Sequence, residues 1–242
     1  MVGLRRAFAL LFLGFYVTNF AMSAALGPSD AFAFNLGLAL TYGVAFVGLA
    51  AEWFWARWFA IGVGNFGSLI LLALFQVGME PILMFIGGTH LAIWLGLLGE
   101  GMAARYEHSA EAAERWNFQE ESLILMRRAV KSAGTTIPFL ILYTLAPQPD
   151  ALGLTALALG LSGLWALLRG RTWGLFALGG AGIIALADGL GAFGDPAAGY
   201  FMIAPTGMIL YGPVFAILAG GTLLAPLAFA RPMWRFLRRQ SA

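Results

Sequence analysis

No cysteine occurs among the 242 residues, which excludes disulfides, iron–sulfur clusters and thiolate zinc sites. Histidine is nearly as scarce. His90 and His108 are the only two. His108 falls in a charged stretch and His90 in an apolar one, so a bis-histidine haem held across the membrane by one chain is excluded too. Charge is also short: 11% of residues are Asp, Glu, Lys or Arg, where a soluble domain carries about a quarter. The formal net charge of +2 is too small to point to nucleic acid. No nucleophile elbow, zincin pair or P-loop is present in a usable context. Gly62-Val63-Gly64-Asn65-Phe66-Gly67 has the bare spacing of a dinucleotide fingerprint, but it lies inside an apolar run with no strand before it and reads as helix packing.

What is abundant is apolar surface. Hydrophobic residues make up 60% of the chain and the mean hydropathy is +0.82, more than a soluble interior of this size can hide, so the bilayer must solvate most side chains. The 20 Phe and 8 Trp suit lipid-facing and headgroup positions, and the 32 Gly suit close helix contacts. The reading is an all-α polytopic membrane protein. Apolar runs of about 20 residues bounded by charge or Gly/Pro clusters lie near 7–26, 34–51, 58–77 and 81–100, then 129–147, 151–168, 172–193 and 205–229, giving about eight spans. The fifth carries Lys131 at its start and Pro138 within it. Arg5 and Arg6 followed by an apolar run and small residues resemble a secretory signal. The run from Ala7 to Leu26 exceeds an h-region of roughly 7 to 15 residues, which favours a retained helix.

With the N-terminus inside, every Lys and Arg falls in a cytoplasmic segment, whereas the opposite loops hold Asp30, Glu80, Asp150 and Asp195. That obeys the positive-inside rule and predicts an inner (plasma) membrane protein with both termini cytoplasmic. The halves resemble each other. Trp58, Gly64, Gly67 and Glu80-Pro81 recur 115 residues later as Trp173, Gly179, Gly182 and Asp195-Pro196. Leu4-Arg5-Arg6-Ala7 resembles Met126-Arg127-Arg128-Ala129, and Leu36-Gly37-Leu38 resembles Leu152-Gly153-Leu154. Two readings stand here: chance coincidence of Gly-rich helices, or duplication of a four-helix half, with copies related by an axis along the membrane normal. The organisation is then a first half, 1–100; a charged linker helix, 101–128, with Tyr106, Trp116 and Phe118 as interface anchors; a second half, 129–229; and a basic tail, 230–242.

Ionisable groups inside a membrane are expensive, about 2.5 to 3.5 kcal/mol at a helix centre, so each is a functional candidate. His90 lies near mid-span and is a candidate proton carrier, interhelical hydrogen-bond donor, or metal or tetrapyrrole ligand, the only metal-ligand candidate in the chain. Asp188 has no acidic counterpart, since its repeat position is Ala73. Glu100 and Glu52 sit at the cytoplasmic edge. Asn19, Asn65, Gln76 and Thr89 bridge helices in the bland reading, with Asn65 a further pathway candidate. Pro138, Pro205, Pro213 and Pro226 are candidate kinks or breaks. His90, Asp188, Glu100 and Asn65 thus outline the ion or substrate pathway of a small solute or ion permease, possible proton coupling resting on Asp188 and His90. The alternative is a non-catalytic structural or assembly subunit whose Gly-rich faces meet other membrane subunits or a second copy. No motif names a cofactor, and catalytic residues are not identifiable.

Overall fold

A computed structural model describes residues 2–107, 121–145, 151–169, 171–194, 200–203 and 208–231. The sequence readings that fall on His108, Trp116, Phe118, Asp150, Asp195, Pro196, Pro205 and the tail beyond Arg231 lie outside them. The helices are α1 (Val2–Leu26), α2 (Phe32–Ala50), α3 (Ala56–Ser68), α4 (Leu74–Val77), α5 (Pro81–Leu97), α6 (Glu100–Glu107), α7 (Glu121–Thr144), α8 (Ala151–Leu168), α9 (Gly174–Gly189) and α10 (Gly212–Leu224). Short 3-10 turns cover Ser29–Ala31, Leu69–Ala73 and Ala225–Phe229. Three segments are long and apolar enough to cross a membrane, Val2–Leu26, Ser29–Ala50 and Ala151–Leu168, and a fourth if Pro81–Leu97 and Glu100–Glu107, bent by 72°, form one broken span.

Local chemistry explains several boundaries. Pro81 opens α5, where its missing N–H costs nothing and its fixed φ suits the first turn. α2 ends in a Schellman motif: Trp53 N–H donates to Gly48 O at 3.0 Å and Glu52 N–H to Leu49 O at 3.4 Å. The left-handed residue that such an ending requires is Glu52, at φ 58°, where glycine is the usual choice. α7 runs unbroken through Pro138, and starts earlier than the expected fifth span. One region departs from the all-helical expectation. Tyr200–Ile203 pairs antiparallel with Met208–Tyr211, so residues 208–211 of the expected eighth span at 205–229 form a strand and its helix begins only at Gly212. Met208 to Tyr211 are four consecutive large, mainly apolar residues that a hydropathy window cannot tell from helix.

The chain forms two compact units. The first comprises Met1–Arg115, Leu145–Pro147 and Tyr200–Tyr211; the second Trp116–Thr144, Gln148–Gly199 and Gly212–Ala242. In the first, α1 packs on α2 and α5, and α3 packs on α2 and α5, closing a ring of four. Leu13, Leu49, Val63, Leu83 and Ile93 fill it, each fully buried. In the second, α7, α8, α9 and α10 close a ring in the same order around Ile137, Leu140, Leu167 and Leu178.

Glycine contacts correspond between the units as well. A Cβ on Gly67 would fall within the His90 ring, and one on Gly182 would lie 3.2 Å from Leu223 Cβ. A Cβ on Gly87 would lie 2.5 Å from Leu71 Cδ2, and one on Gly220 would lie 2.6 Å from Leu186 N. These contacts expose a sequence match beyond the 115-residue offset. Gly87-Gly88-Thr89-His90-Leu91-Ala92 recurs 133 residues later as Gly220-Gly221-Thr222-Leu223-Leu224-Ala225. Both threonines bond back into their own helix, Thr89 Oγ1 to Phe85 O at 2.8 Å and Thr222 Oγ1 to Leu218 O at 2.7 Å. The segment between the two matches is longer in the second case by the difference of the two offsets, and Tyr200–Ile203 and Met208–Tyr211 lie within it.

Candidate functional site

His90 is buried on α5 and both of its ring nitrogens are engaged. Nδ1 lies 2.7 Å from Ile86 O, one turn back, and Nε2 lies 2.5 Å from the Tyr42 hydroxyl on α2. A carbonyl only accepts, so Nδ1 carries the proton and Nε2 offers its lone pair to Tyr42 O–H, which fixes a neutral tautomer. Thr89 repeats the logic: its own proton goes back to the α5 carbonyls, so the Tyr16 hydroxyl on α1 donates to Thr89 Oγ1 at 2.6 Å. The Tyr16 ring sits 4.4 Å from the imidazole, centroid to centroid, and Phe20 stacks on Tyr42 at 5.3 Å. α1, α2 and α5 are thus joined by a closed aromatic and hydrogen-bonded cluster. In apolar surroundings each of these polar groups would be costly without its partner. Gly67 on α3 makes room for the ring.

The other three sequence candidates fall elsewhere. Asp188 lies in the second unit, half-buried near the end of α9, where the Tyr143 hydroxyl of α7 donates to its Oδ2. Asn65 is half-buried on α3, and Glu100 is exposed at the first position of α6. His90 and Asp188 therefore each have a tyrosine from another helix of their own unit. Among the described residues no three His, Cys, Asp or Glu side chains gather as a metal site would require.

A second polar constellation lies on the arginine-bearing edge of the first unit. Arg5 donates to Leu95 O at 3.0 Å and to Leu98 O, and Arg57 Nε donates to Leu97 O at 2.9 Å. Arg6 donates to Leu49 O at 3.1 Å and Ala50 O at 2.8 Å. These are carbonyls of the last turns of α5 and α2, where cations also meet the negative end of the helix dipole. Arg57 Nη1 pairs with Glu107 Oε1, which Trp58 Nε1–H also reaches at 2.9 Å, and the Arg57 and Glu107 side chains are 4% and 7% exposed. α6 is drawn under the bundle by these contacts, with Met102 and Tyr106 fully buried and the Tyr106 hydroxyl donating to Leu49 O at 3.1 Å. Glu52 accepts from Arg105 at 2.5 Å and pairs with Arg6 at 3.1 Å. The Arg105 hydrogen bond, with the Arg6 charge adding, holds the Glu52 carboxyl below its ordinary range. A lowered carboxyl stabilises the fold above its unfolded pKa and loses that contribution as pH falls through the folded value, so this contact is intact at neutral pH.

Sequence reasoning singled out His90 and Asp188 but missed Tyr16, Tyr42, Tyr143 and the Arg57–Glu107 pair. Nothing local marks those tyrosines, because an aromatic within an apolar run looks the same whether it faces lipid or a buried imidazole. The Gly-Gly-Thr repeat was the available signal for the surroundings of His90. Compared with protein-family models, with curated proteins and with solved structures, the chain finds no match in any of the three.

Proposed function

We propose that the chain is a multi-pass permease for a small solute or ion, built from two duplicated four-helix halves, in which Asp188 exchanges a proton or coupled cation. The observation that carries this is the position of Asp188, a half-buried carboxylate near the end of the apolar helix α9 and bonded to Tyr143. A carboxylate has about four acceptor positions, so it can hold an incoming cation or proton beside the tyrosine. The asymmetry between the halves supports the same reading. The first unit has Ala73 at the matching place, and its own intramembrane ionisable group, His90, is locked at both nitrogens. The first half then serves as the fixed frame and the second as the working half. The matched ring order and glycine contacts support the duplication.

The test is flux in reconstituted vesicles under an imposed proton gradient. Asp188→Asn keeps size and hydrogen bonding but cannot take up a proton, so flux through the wild type should fall to the level of empty vesicles while folding and yield stay unchanged. Tyr143→Phe should shift the pH dependence of flux rather than abolish it. Equal flux in wild type, Asp188→Asn and empty vesicles would reject the permease. A structural or assembly role would then be favoured, to which the saturated His90 cluster and the arginine-sealed edge already lend themselves.

Eight spans with both termini on the arginine side predict the labelling pattern of single cysteines. Ser29→Cys should react with an impermeant thiol reagent from outside intact cells, and Ser241→Cys should not. The absence of native cysteine removes background. Labelling of Ser241→Cys from outside would overturn the even number of spans.

A further inference from the structure

The repeated turn before the third helix of each half is covered in one unit and bare in the other. In the first unit Arg57 and Trp58 aim an N–H each at one carboxylate oxygen of Glu107, and Trp58 is 2% exposed. In the second unit the turn between α8 and α9 carries Arg169, Arg171 and Trp173. Trp173 is the counterpart of Trp58, while the nearer arginine stands two places before the tryptophan instead of one. Here Trp173 is 44% exposed, and Arg169 and Arg171 are exposed. Arg169 lies 4.8 Å over the ring of Trp165, itself 48% exposed. Arg171 N–H closes α8 on Ala166 O at 2.8 Å, which holds both arginines on the turn. Among the described residues neither arginine is paired with a carboxylate.

We infer that this turn binds the phosphate of an anionic lipid headgroup, which takes the place that the Glu107 carboxylate takes in the first unit. The turn joins two apolar helices and so stands at headgroup depth, where indole rings settle and where guanidinium groups grip phosphate with paired hydrogen bonds. The positive end of the 16-residue helix α9 begins at Gly174, next to the tryptophan, and adds to the attraction for an anion. Zwitterionic headgroups also carry a phosphate, but their cationic group meets the same two arginines unfavourably. The inference rests on the repeat and on the membrane setting, and does not depend on what Asp188 does.

The experiment is native mass spectrometry of the full chain in detergent, with phosphatidylglycerol or phosphatidylcholine added. The wild type should retain phosphatidylglycerol in preference. Arg169→Gln with Arg171→Gln should weaken that retention by about five-fold for each arginine, equivalent to about 1 kcal/mol apiece. Arg128→Gln with Lys131→Gln, which removes two other exposed cations of the same unit, should leave it unchanged. Equal retention of the two lipids, or a double variant at 169 and 171 indistinguishable from wild type, would overturn the site. Displacement of phosphatidylglycerol by excess inorganic phosphate as readily as by a soluble glycerophosphate headgroup would replace the lipid by free phosphate. Lipid binding that arises only after Glu111, Glu114 and Glu120 are changed to Gln would show that the chain's own acidic stretch is the occupant, and would also reject the lipid.

Discussion

Glu107→Ala is expected to destabilise the first unit by about 3 to 5 kcal/mol, the cost of leaving one member of a buried ion pair uncompensated. Thermal unfolding in detergent should move down by on the order of 10 °C, given the few degrees per kcal/mol typical of chains this size. The loss comes from Arg57. Its side chain is 4% exposed, so it cannot exchange the lost carboxylate for water without opening the contact between α3 and α6. Trp58 Nε1–H loses its acceptor in the same step. The diagnostic comparison is the double variant Arg57→Met with Glu107→Leu. Replacing both charges by apolar groups of similar volume removes the desolvation penalty as well as the attraction, so most of the lost stability should return. A double variant as unstable as Glu107→Ala alone would mean that the charge pair is not what holds α6 in place.

Gly67→Ala should be nearly as damaging, by about 1 to 3 kcal/mol from overpacking, and more than the matching change in the other unit. At Gly67 the added methyl meets an imidazole tied at both ends, to Ile86 O and to Tyr42. At Gly182 it meets Gly220 O at 3.0 Å and Leu223 Cβ at 3.2 Å, contacts that a shift of a few tenths of an ångström relieves. Stability of Gly67→Ala, Gly182→Ala and Gly67→Ala with His90→Ala, measured by the same unfolding assay, resolves the cause. The Gly67→Ala penalty should largely vanish once the ring is gone, a coupling that only contacting residues show. Independent, additive effects at 67 and 90 would disprove the wedge.

These two sites show which parts of the molecule can be read from the chain alone. A helix occupies part of each of the eight apolar runs, because a backbone in any apolar medium needs its polar groups bonded internally. The lengths that result are another matter. Residues 58–77 form α3, a 3-10 turn and the short α4 in place of one continuous helix, and residues 208–211 pair as a strand. Hydropathy is blind to such breaks, since Leu, Ile and Met serve helix and strand equally well. His90 and Asp188 stood out because a titratable group in an apolar run is conspicuous. What they bond to did not, because Tyr42 is 48 residues from His90 and Tyr143 is 45 from Asp188. The sequence spacing of Arg57 and Glu107 likewise carries no hint that α6 folds back. The bend after Leu97, at Leu98 and the positive-φ Gly99, brings them together.

The arginine caps also bear on how the chain is made. Arg5 and Arg6 leave the ribosome well before the carbonyls they finally bond, at Leu49 and Ala50 and then at Leu95 and Leu98, which lie 43 to 93 residues further on. At synthesis rates of about 5 to 20 residues per second the last of those acceptors follows by about 5 to 20 seconds. Until its acceptors are made, each guanidinium group has no carbonyl of α2 or α5 to bond, so Arg6 can tie α1 to α2 well before Arg5 can tie it to α5. Translation through Glu107 then completes this set of arginine contacts, while the first unit still awaits Leu145–Pro147 and Tyr200–Tyr211.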